Sequence, residues 1–72
     1  MKKQYKLLDL DCANCAAKME AAINKIDGVN SAVVSFMAQK LTIDADDARF
    51  EQIMAEVKKI IRRVEPDCTL VS

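Results

Sequence analysis

The sequence predicts an α+β fold in which a four-stranded antiparallel sheet carries two helices on one face. Apolar residues recur with strand and helix periodicity in the order β-α-β-β-α-β. The chain has 72 residues, the length of a single domain, and we treat residues 1–72 as one unit. The apolar faces of the helices and one face of the sheet should form the core, and the other sheet face should contact solvent.

The first half of the chain predicts a strand, a helix and a second strand. Residues 4–9 are rich in strand formers. Residues 15–26 carry apolar side chains at spacings of three, four and seven, which are typical of one helix face. We expect this helix to end at Gly28, the only glycine, because helix ends favour a residue that tolerates positive φ. Residues 29–37 alternate between apolar and mixed positions, which predicts the second strand.

A hairpin follows. Residues 40–44 again alternate, and the short turn at residues 38–39 should pair this third strand with the second. The apolar positions of the first three strands, together with Leu10 just beyond the first strand, define the sheet side of the core. These residues are Tyr5, Leu7, Leu10, Val34, Phe36, Leu41 and Ile43.

The second helix has the most regular amphipathic pattern in the chain. Asp46 and Asp47 are suitable N-cap residues, and the helix should end near Arg63. Pro66 cannot continue a helix, so residues 65–67 should form a turn. The tail at residues 68–71 is β-prone and predicts an edge strand. This order of elements is that of the split βαβ, ferredoxin-like sandwich.

Composition excludes several classes of function. Eleven basic residues balance eleven acidic ones, which argues against a general nucleic-acid or membrane binder. The absence of histidine removes the commonest general base and metal ligand and disfavours hydrolases that depend on it. Three cysteines are too few for a disulfide framework and suggest a reducing compartment. With no signal peptide and no membrane span visible in the sequence, we expect a cytoplasmic location.

The candidate site is the Cys-x-x-Cys formed by Cys12 and Cys15, where the first strand leads into the first helix. A turn into a helix brings both sulfurs to one side of the backbone, where they can bind one metal ion. Unpaired N–H groups at a helix start also favour the thiolate form. A thiol redox pair is the main alternative, because the same junction serves that chemistry too.

The motif and its surroundings resemble the heavy-metal-associated domain. The resemblance rests on Leu-Asp-Cys-Ala-Asn-Cys-Ala-Ala-Lys at residues 10–18, Asp-Gly-Val at residues 27–29 and Ala-Val-Val-Ser-Phe at residues 32–36. It covers nearly the whole chain. Such domains occur as copper chaperones and in the cytosolic N-termini of metal-exporting P-type ATPases. The resemblance implies that Cys12 and Cys15 bind a metal ion and pass it by thiolate exchange to a docked partner.

The residues before the first cysteine favour a divalent ion. Copper-handling members usually have Met-x-Cys-x-x-Cys, whereas this chain has Leu10 and Asp11 there and is similar to the zinc, cadmium and lead exporters. Two thiolates satisfy Cu⁺, but Zn²⁺ or Cd²⁺ needs about four ligands. Asp11 is therefore a candidate ligand. Glu65 is a second, because some cadmium-exporter domains resemble this chain in having an acidic ligand before the last strand.

Alternatives remain for these residues. Asp11 and Glu65 could be solvated turn residues, in which case a second molecule would complete the site as a metal-bridged dimer. The basic run at residues 58–63 could be a solvated helix face or a docking surface for an acidic partner. Cys68 is interpreted as a packing residue.

The chain itself should not be an enzyme. We expect it to carry Cd²⁺, Zn²⁺ or Pb²⁺ as the N-terminal domain of an exporter, with other domains of the ATPase or a metal donor or acceptor protein as partners. A free-standing metallochaperone, including one for Cu⁺, and a small redox protein are the alternatives.

Overall fold

A computed structural model describes residues 1–71. Its elements follow the predicted order β-α-β-β-α-β, which is confirmed. They are β1 (Lys2–Leu8), α1 (Ala13–Asn24), β2 (Val29–Ser35), β3 (Lys40–Ala45), a single 3₁₀ turn (Asp47–Arg49), α2 (Phe50–Val64) and β4 (Thr69–Val71).

The four strands form one antiparallel sheet in the order β2-β3-β1-β4. The predicted β2–β3 hairpin and the predicted edge strand at the end of the chain are both confirmed. In the pairing of β1 with β4, Leu8 lies opposite Thr69. Because these strands run in opposite directions, the residues that follow Leu8 lie beside the residues that precede Thr69. The sheet therefore brings residues 9–12 next to residues 65–68.

The core lies between one face of the sheet and the two helices. From the sheet side, the predicted residues Leu7, Leu41 and Ile43 are at most 1% exposed. Tyr5 and Phe36 differ from the prediction, since both are only partly buried against this core. Phe36 lies just beyond the end of β2, in the turn that leads to β3, and so covers the rim of the core. The helices contribute Ala16, Met19, Ile23, Phe50, Ile53, Met54, Val57 and Ile61.

The first helix ends earlier than predicted. Asn24 is its last residue, and the chain continues as tight hydrogen-bonded turns to Gly28 rather than as helix. Gly28 does have positive φ, at 98°. A β-carbon added there would lie 3.0 Å from the Cδ1 atom of Ile53. Gly28 is thus required by the entry into β2 and by packing against α2, not by the end of α1.

The start of the second helix also differs in detail. Asp46 acts as an N-cap, as expected, with its Oδ1 accepting a hydrogen bond of 3.2 Å from the N–H of Ala48. It caps the 3₁₀ turn, however, and α2 itself begins at Phe50. The helix ends at Val64, one residue beyond the expected end.

Candidate metal centre

The segment between β1 and α1, residues 9–12, is called the metal loop below. Asp9 opens it in a left-handed conformation with φ of 63°. Leu10 then turns back into the core and is 1% exposed, which confirms that it is a packing residue. The chain leaves the core at Asp11, which is exposed, and reaches the half-buried Cys12. The buried side chain of Leu10 thus anchors the loop in the core, and the last two residues of the loop, Asp11 and Cys12, lie at the surface.

Cys12 is the N-cap residue of α1. Its backbone is extended, with φ of −130° and ψ of 116°, and its Sγ accepts a hydrogen bond of 3.2 Å from the N–H of Cys15. A sulfur atom therefore takes the place that a serine or aspartate oxygen occupies at most helix starts. Since N–H groups in the first helical turn are otherwise unpaired and carry positive partial charge, this position favours an anionic sulfur.

The two thiols have opposite acidities. Hydrogen bonds from the Cys15 thiol, then from the backbone N–H groups of Cys15 and Asn14, lower the pKa of Cys12 below its ordinary value. The pKa of Cys15 is raised to about 11, because its thiol donates to Cys12, is partly desolvated and lies near negative charge. The lowering expected for a helix-start thiol is thus found at Cys12 alone. The pair therefore loses its first proton more readily than its second.

Glu65 lies beside the thiol pair. It follows the last residue of α2, and its carbonyl accepts a hydrogen bond of 3.0 Å from the N–H of Cys68. Its negative charge contributes to raising the pKa of Cys15 and of Cys68 and opposes the lowering at Cys12. The sheet pairing of β1 with β4 therefore places Glu65 at the end of the molecule that holds the metal loop.

The candidate carboxylates do not complete a coordination sphere in this structure. Across residues 1–71, no three Cys, Asp or Glu side chains are gathered closely enough to hold a metal ion. Cys12 and Cys15 are brought together, whereas Asp11 projects into solvent and Glu65 stays a neighbour of the pair. A ligand role for Asp11 and Glu65 remains a prediction.

Cys68 belongs to the core. It is 7% exposed and packs within the buried cluster. Burial, followed by the charges of Glu65, Asp9 and Asp11, raises the pKa of its thiol. The third cysteine therefore lies near the metal loop but is held as a neutral packing residue.

One concavity of the described part of the chain lies away from the cysteines. It is an open groove of about 920 Å³ between the end of α1 and the outer face of α2. Residues of both helices line it, and the metal loop contributes none of them. The basic run at residues 58–63 is exposed at Lys58, Lys59, Arg62 and Arg63, as the helical pattern predicts. Neither helix in residues 1–71 is both long and apolar enough to cross a membrane.

One residue at the site was missed by the sequence analysis. Gln39, in the turn between β2 and β3, hydrogen-bonds to the backbone of Leu10 in the metal loop. A single glutamine in a polar turn gives no sequence signal for such a contact, because its partner lies 29 positions away.

Comparison with known proteins places the chain among metal-handling domains. A family model for the heavy-metal-associated domain matches residues 5–68. The chain is 36% identical over 70 residues to a cadmium, zinc and cobalt-transporting ATPase of Bacillus subtilis (strain 168), and the match covers 97% of the chain but 10% of that protein. The chain thus spans about a tenth of the length of the first curated relatives that it matches.

Solved structures give the same fold. The N-terminal domain of ZntA in its Zn(II) form aligns with a TM-score of 0.72 and 33% identity, covering 96% of this chain and 86% of that one. The CopZ metallochaperone aligns with a TM-score of 0.77 over 99% of this chain and all of that one. Its 24% identity shows a likeness of fold alone.

Proposed function

Since the chain belongs to the heavy-metal-associated domain family, we propose that it binds Cd²⁺, Zn²⁺ or Pb²⁺ through Cys12 and Cys15 and passes the ion to a partner. The observation that carries this proposal is the sulfur N-cap of α1. The Sγ atom of Cys12 accepts a hydrogen bond from the N–H of Cys15, and a hydrogen bond from the Cys15 thiol lowers the pKa of Cys12, so the two sulfurs already face each other. An arriving divalent ion replaces the protons of both thiols.

Binding then proceeds in two proton losses. The sulfur of Cys12 is the better first ligand, because its anion is stabilised by backbone N–H groups. Coordination of the ion to Cys12 places positive charge beside Cys15 and offsets the causes that raise its pKa. The second proton leaves and the second Sγ–metal bond forms. Two protons are thus released for each divalent ion bound.

Release to a partner uses the same two sulfurs. Cys12 and Cys15 are each only partly buried, so thiolates of a second protein can reach the ion. An incoming thiolate adds to the ion, one of the two cysteines leaves and takes up a proton, and the exchange repeats at the other sulfur. No net redox change occurs. The ion moves through bridged intermediates and is never free in solution.

The relatives suggest the setting. The similar Bacillus subtilis protein is a transporting ATPase, and this chain corresponds to about a tenth of it. We infer that the chain serves as the cytosolic N-terminal metal-binding domain of a P-type exporter, and that its partners are other domains of that ATPase or a metal donor protein. A free-standing chaperone would use the same exchange chemistry.

A thiol redox function is the second candidate, because a lowered pKa at Cys12 also suits disulfide exchange. The two functions differ in what the pair does under reducing conditions. A metal site then binds Cd²⁺ with two thiolates, whereas a redox pair acts by cycling through a Cys12–Cys15 disulfide.

The test is a cadmium titration of the reduced protein, followed by the ultraviolet thiolate-to-cadmium band. We expect the parent to show the band and the double variant Cys12→Ser, Cys15→Ser to lose it. Cys68→Ala is the matched control and should bind with an affinity within about tenfold of the parent, or ~1.4 kcal/mol. A band that survives in the double variant would place the site elsewhere. A parent without the band that instead catalyses disulfide exchange would favour the redox function.

A further inference from the structure

The turn that joins β2 to β3 contacts the base of the metal loop through one side chain. The Nε2 group of Gln39 donates a hydrogen bond of 2.7 Å to the carbonyl of Leu10, and the N–H of Leu10 donates one of 3.0 Å to Oε1 of Gln39. A single side-chain amide therefore satisfies both backbone groups of Leu10, as a neighbouring strand would. This pair of bonds is called the Gln39–Leu10 amide pair below.

Gln39 is itself held in place from several directions. Its Nε2 group also donates a hydrogen bond of 2.8 Å to the carbonyl of Phe36, so both hydrogens of the side-chain amide are used. The backbone carbonyl of Gln39 accepts a hydrogen bond of 2.8 Å from the N–H of Leu7. Its backbone has φ of 55°, in the left-handed region. Non-glycine residues adopt that region at a cost, and they persist there when the surroundings fix them.

Leu10 is fixed on its other side by the core. Its side chain is 1% exposed, and Asp9 before it takes the left-handed turn that directs it inward. The core holds the side chain of Leu10 and Gln39 holds its backbone. Asp11 and Cys12 follow directly, so the backbone that presents the first sulfur starts from an immobilised residue.

We propose that Gln39 is a positioning residue for the metal site: the Gln39–Leu10 amide pair holds the metal loop in the conformation that makes Cys12 the cap of α1. This inference rests on the proposed function and deepens it. Ordering a backbone residue costs conformational entropy, and a site that is ordered on folding does not meet that cost when the ion binds. Gln39 makes no contact with the ion and acts through Leu10.

The first test replaces Gln39 by Met, which keeps the side-chain length and removes all three side-chain hydrogen bonds. Gln52→Met, at an exposed position of α2, is the matched control. We expect amide relaxation of residues 10–12 in the metal-free protein to show larger motions in Gln39→Met and parental motions in Gln52→Met. Cadmium affinity, measured by chelator competition, should fall by about tenfold in Gln39→Met, the effect of ordering roughly one backbone residue on binding.

A second variant separates positioning from stability. Gln39→Gly also removes the amide pair but relieves the left-handed backbone, so it should unfold at a urea concentration at or above that of Gln39→Met. We expect its cadmium affinity to be reduced as in Gln39→Met. A merely structural residue would show affinity that follows stability, and recovery of parental affinity in Gln39→Gly would overturn the proposal.

The outcomes distinguish this inference from the function on which it rests. A parent that binds cadmium while Gln39→Met binds it equally well, with residues 10–12 unchanged in mobility, overturns the positioning role alone. A parent that binds no cadmium overturns the proposed function and with it the role of Gln39 at a metal site.

Discussion

At the residue scale, Cys12 and Cys15 are chemically distinct although they lie within one helical turn. Cys12 receives hydrogen bonds from the backbone and from the other thiol, whereas Cys15 donates its proton and is partly desolvated. Their difference arises from position at the helix start, since only the N-cap sulfur faces the unpaired N–H groups.

This asymmetry predicts an order of alkylation in the reduced, metal-free protein. Thiolates are the reactive species, so at neutral pH Cys12 should react with iodoacetamide faster than Cys15. The advantage should shrink as pH rises toward the Cys15 pKa of about 11, at which half of the Cys15 thiol is ionised. Cys68, buried and with a raised pKa, should react slowest. Peptide mass spectrometry at timed intervals measures this order, and equal rates for Cys12 and Cys15 at neutral pH would contradict it.

The position of Asp11 next to Cys12 predicts that the site prefers divalent ions to Cu⁺. Two thiolates leave a divalent ion short of ligands, and a carboxylate next to Cys12 can supply oxygen as well as negative charge, which favours a 2+ ion over Cu⁺. Asp11→Ala should therefore weaken Zn²⁺ and Cd²⁺ binding while Cu⁺ affinity stays equal or rises, and Glu65→Ala should do so more mildly. Competition titrations with the three ions at fixed pH measure both effects.

Asp67→Ala is the control for charge alone, because Asp67 is an exposed carboxylate in the loop before β4. It should leave the ratio of Zn²⁺ to Cu⁺ affinity near that of the parent. If Asp11→Ala weakens Cu⁺ and Zn²⁺ equally, Asp11 shapes the loop and is not a selectivity residue.

At the element scale, α1 covers the open edge of β2. The side chain of Asn24 accepts a hydrogen bond from the N–H of Ala32 and donates one to the carbonyl of Ala32, each of 2.9 Å. One turn earlier on the helix, Oε2 of Glu20 accepts a hydrogen bond of 3.0 Å from the N–H of Val34. Edge strands with unpaired backbone groups invite pairing with other chains. These two side chains bind three backbone groups at the outer edge of β2, where another strand could otherwise pair.

Asn24→Ala should consequently do two things. It should lower the free energy of unfolding by about 1–3 kcal/mol, because part-buried backbone groups of Ala32 lose their partners. It should also increase self-association, since the N–H and the carbonyl of Ala32 at this edge become free to pair with another chain. Asn30→Ala, at an exposed position of the same strand, is the control. Urea unfolding and sedimentation velocity test both effects, and the prediction fails if the two variants behave alike.

At the scale of the whole molecule, the order of the strands in the sheet places the segments of the candidate site at the same end of the fold. β1 lies between β3 and β4, so the loop after β1 and the loop before β4 meet there. The metal loop contains the core residue Leu10, and α1, which begins at Ala13 within the motif, packs on the same core. Binding of an ion to both cysteines should therefore act on the stability of the entire fold.

Metal binding should raise the unfolding free energy by mass action. At a free Cd²⁺ concentration of 100 times the dissociation constant, the expected gain is about 2.7 kcal/mol, less any affinity of the unfolded chain for the ion. The double variant Cys12→Ser, Cys15→Ser should show no such gain. Thermal unfolding with and without Cd²⁺ measures it, and an equal rise in Tm for parent and double variant would mean that the ion stabilises the fold at another site.

The sequence by itself determined the features that depend on neighbouring residues. Alternation predicted the strands, a spacing of three and four predicted α2 and much of α1, and Pro66 predicted the turn before β4. Cys-x-x-Cys between a strand and a helix indicated the candidate site, which stays a prediction. These signals are local, because side-chain periodicity follows directly from strand and helix geometry.

Only the tertiary structure decided which distant groups meet. It joined Gln39 to Leu10 and Asn24 to Ala32. It also ended α1 at Asn24, where Gly28 had suggested a later end. An apolar pattern indicates which face of a helix or strand is buried. It does not indicate which element covers that face, or which polar side chain forms hydrogen bonds with unpaired backbone groups. Those contacts depend on strand order and on packing between elements, which are properties of the assembled chain.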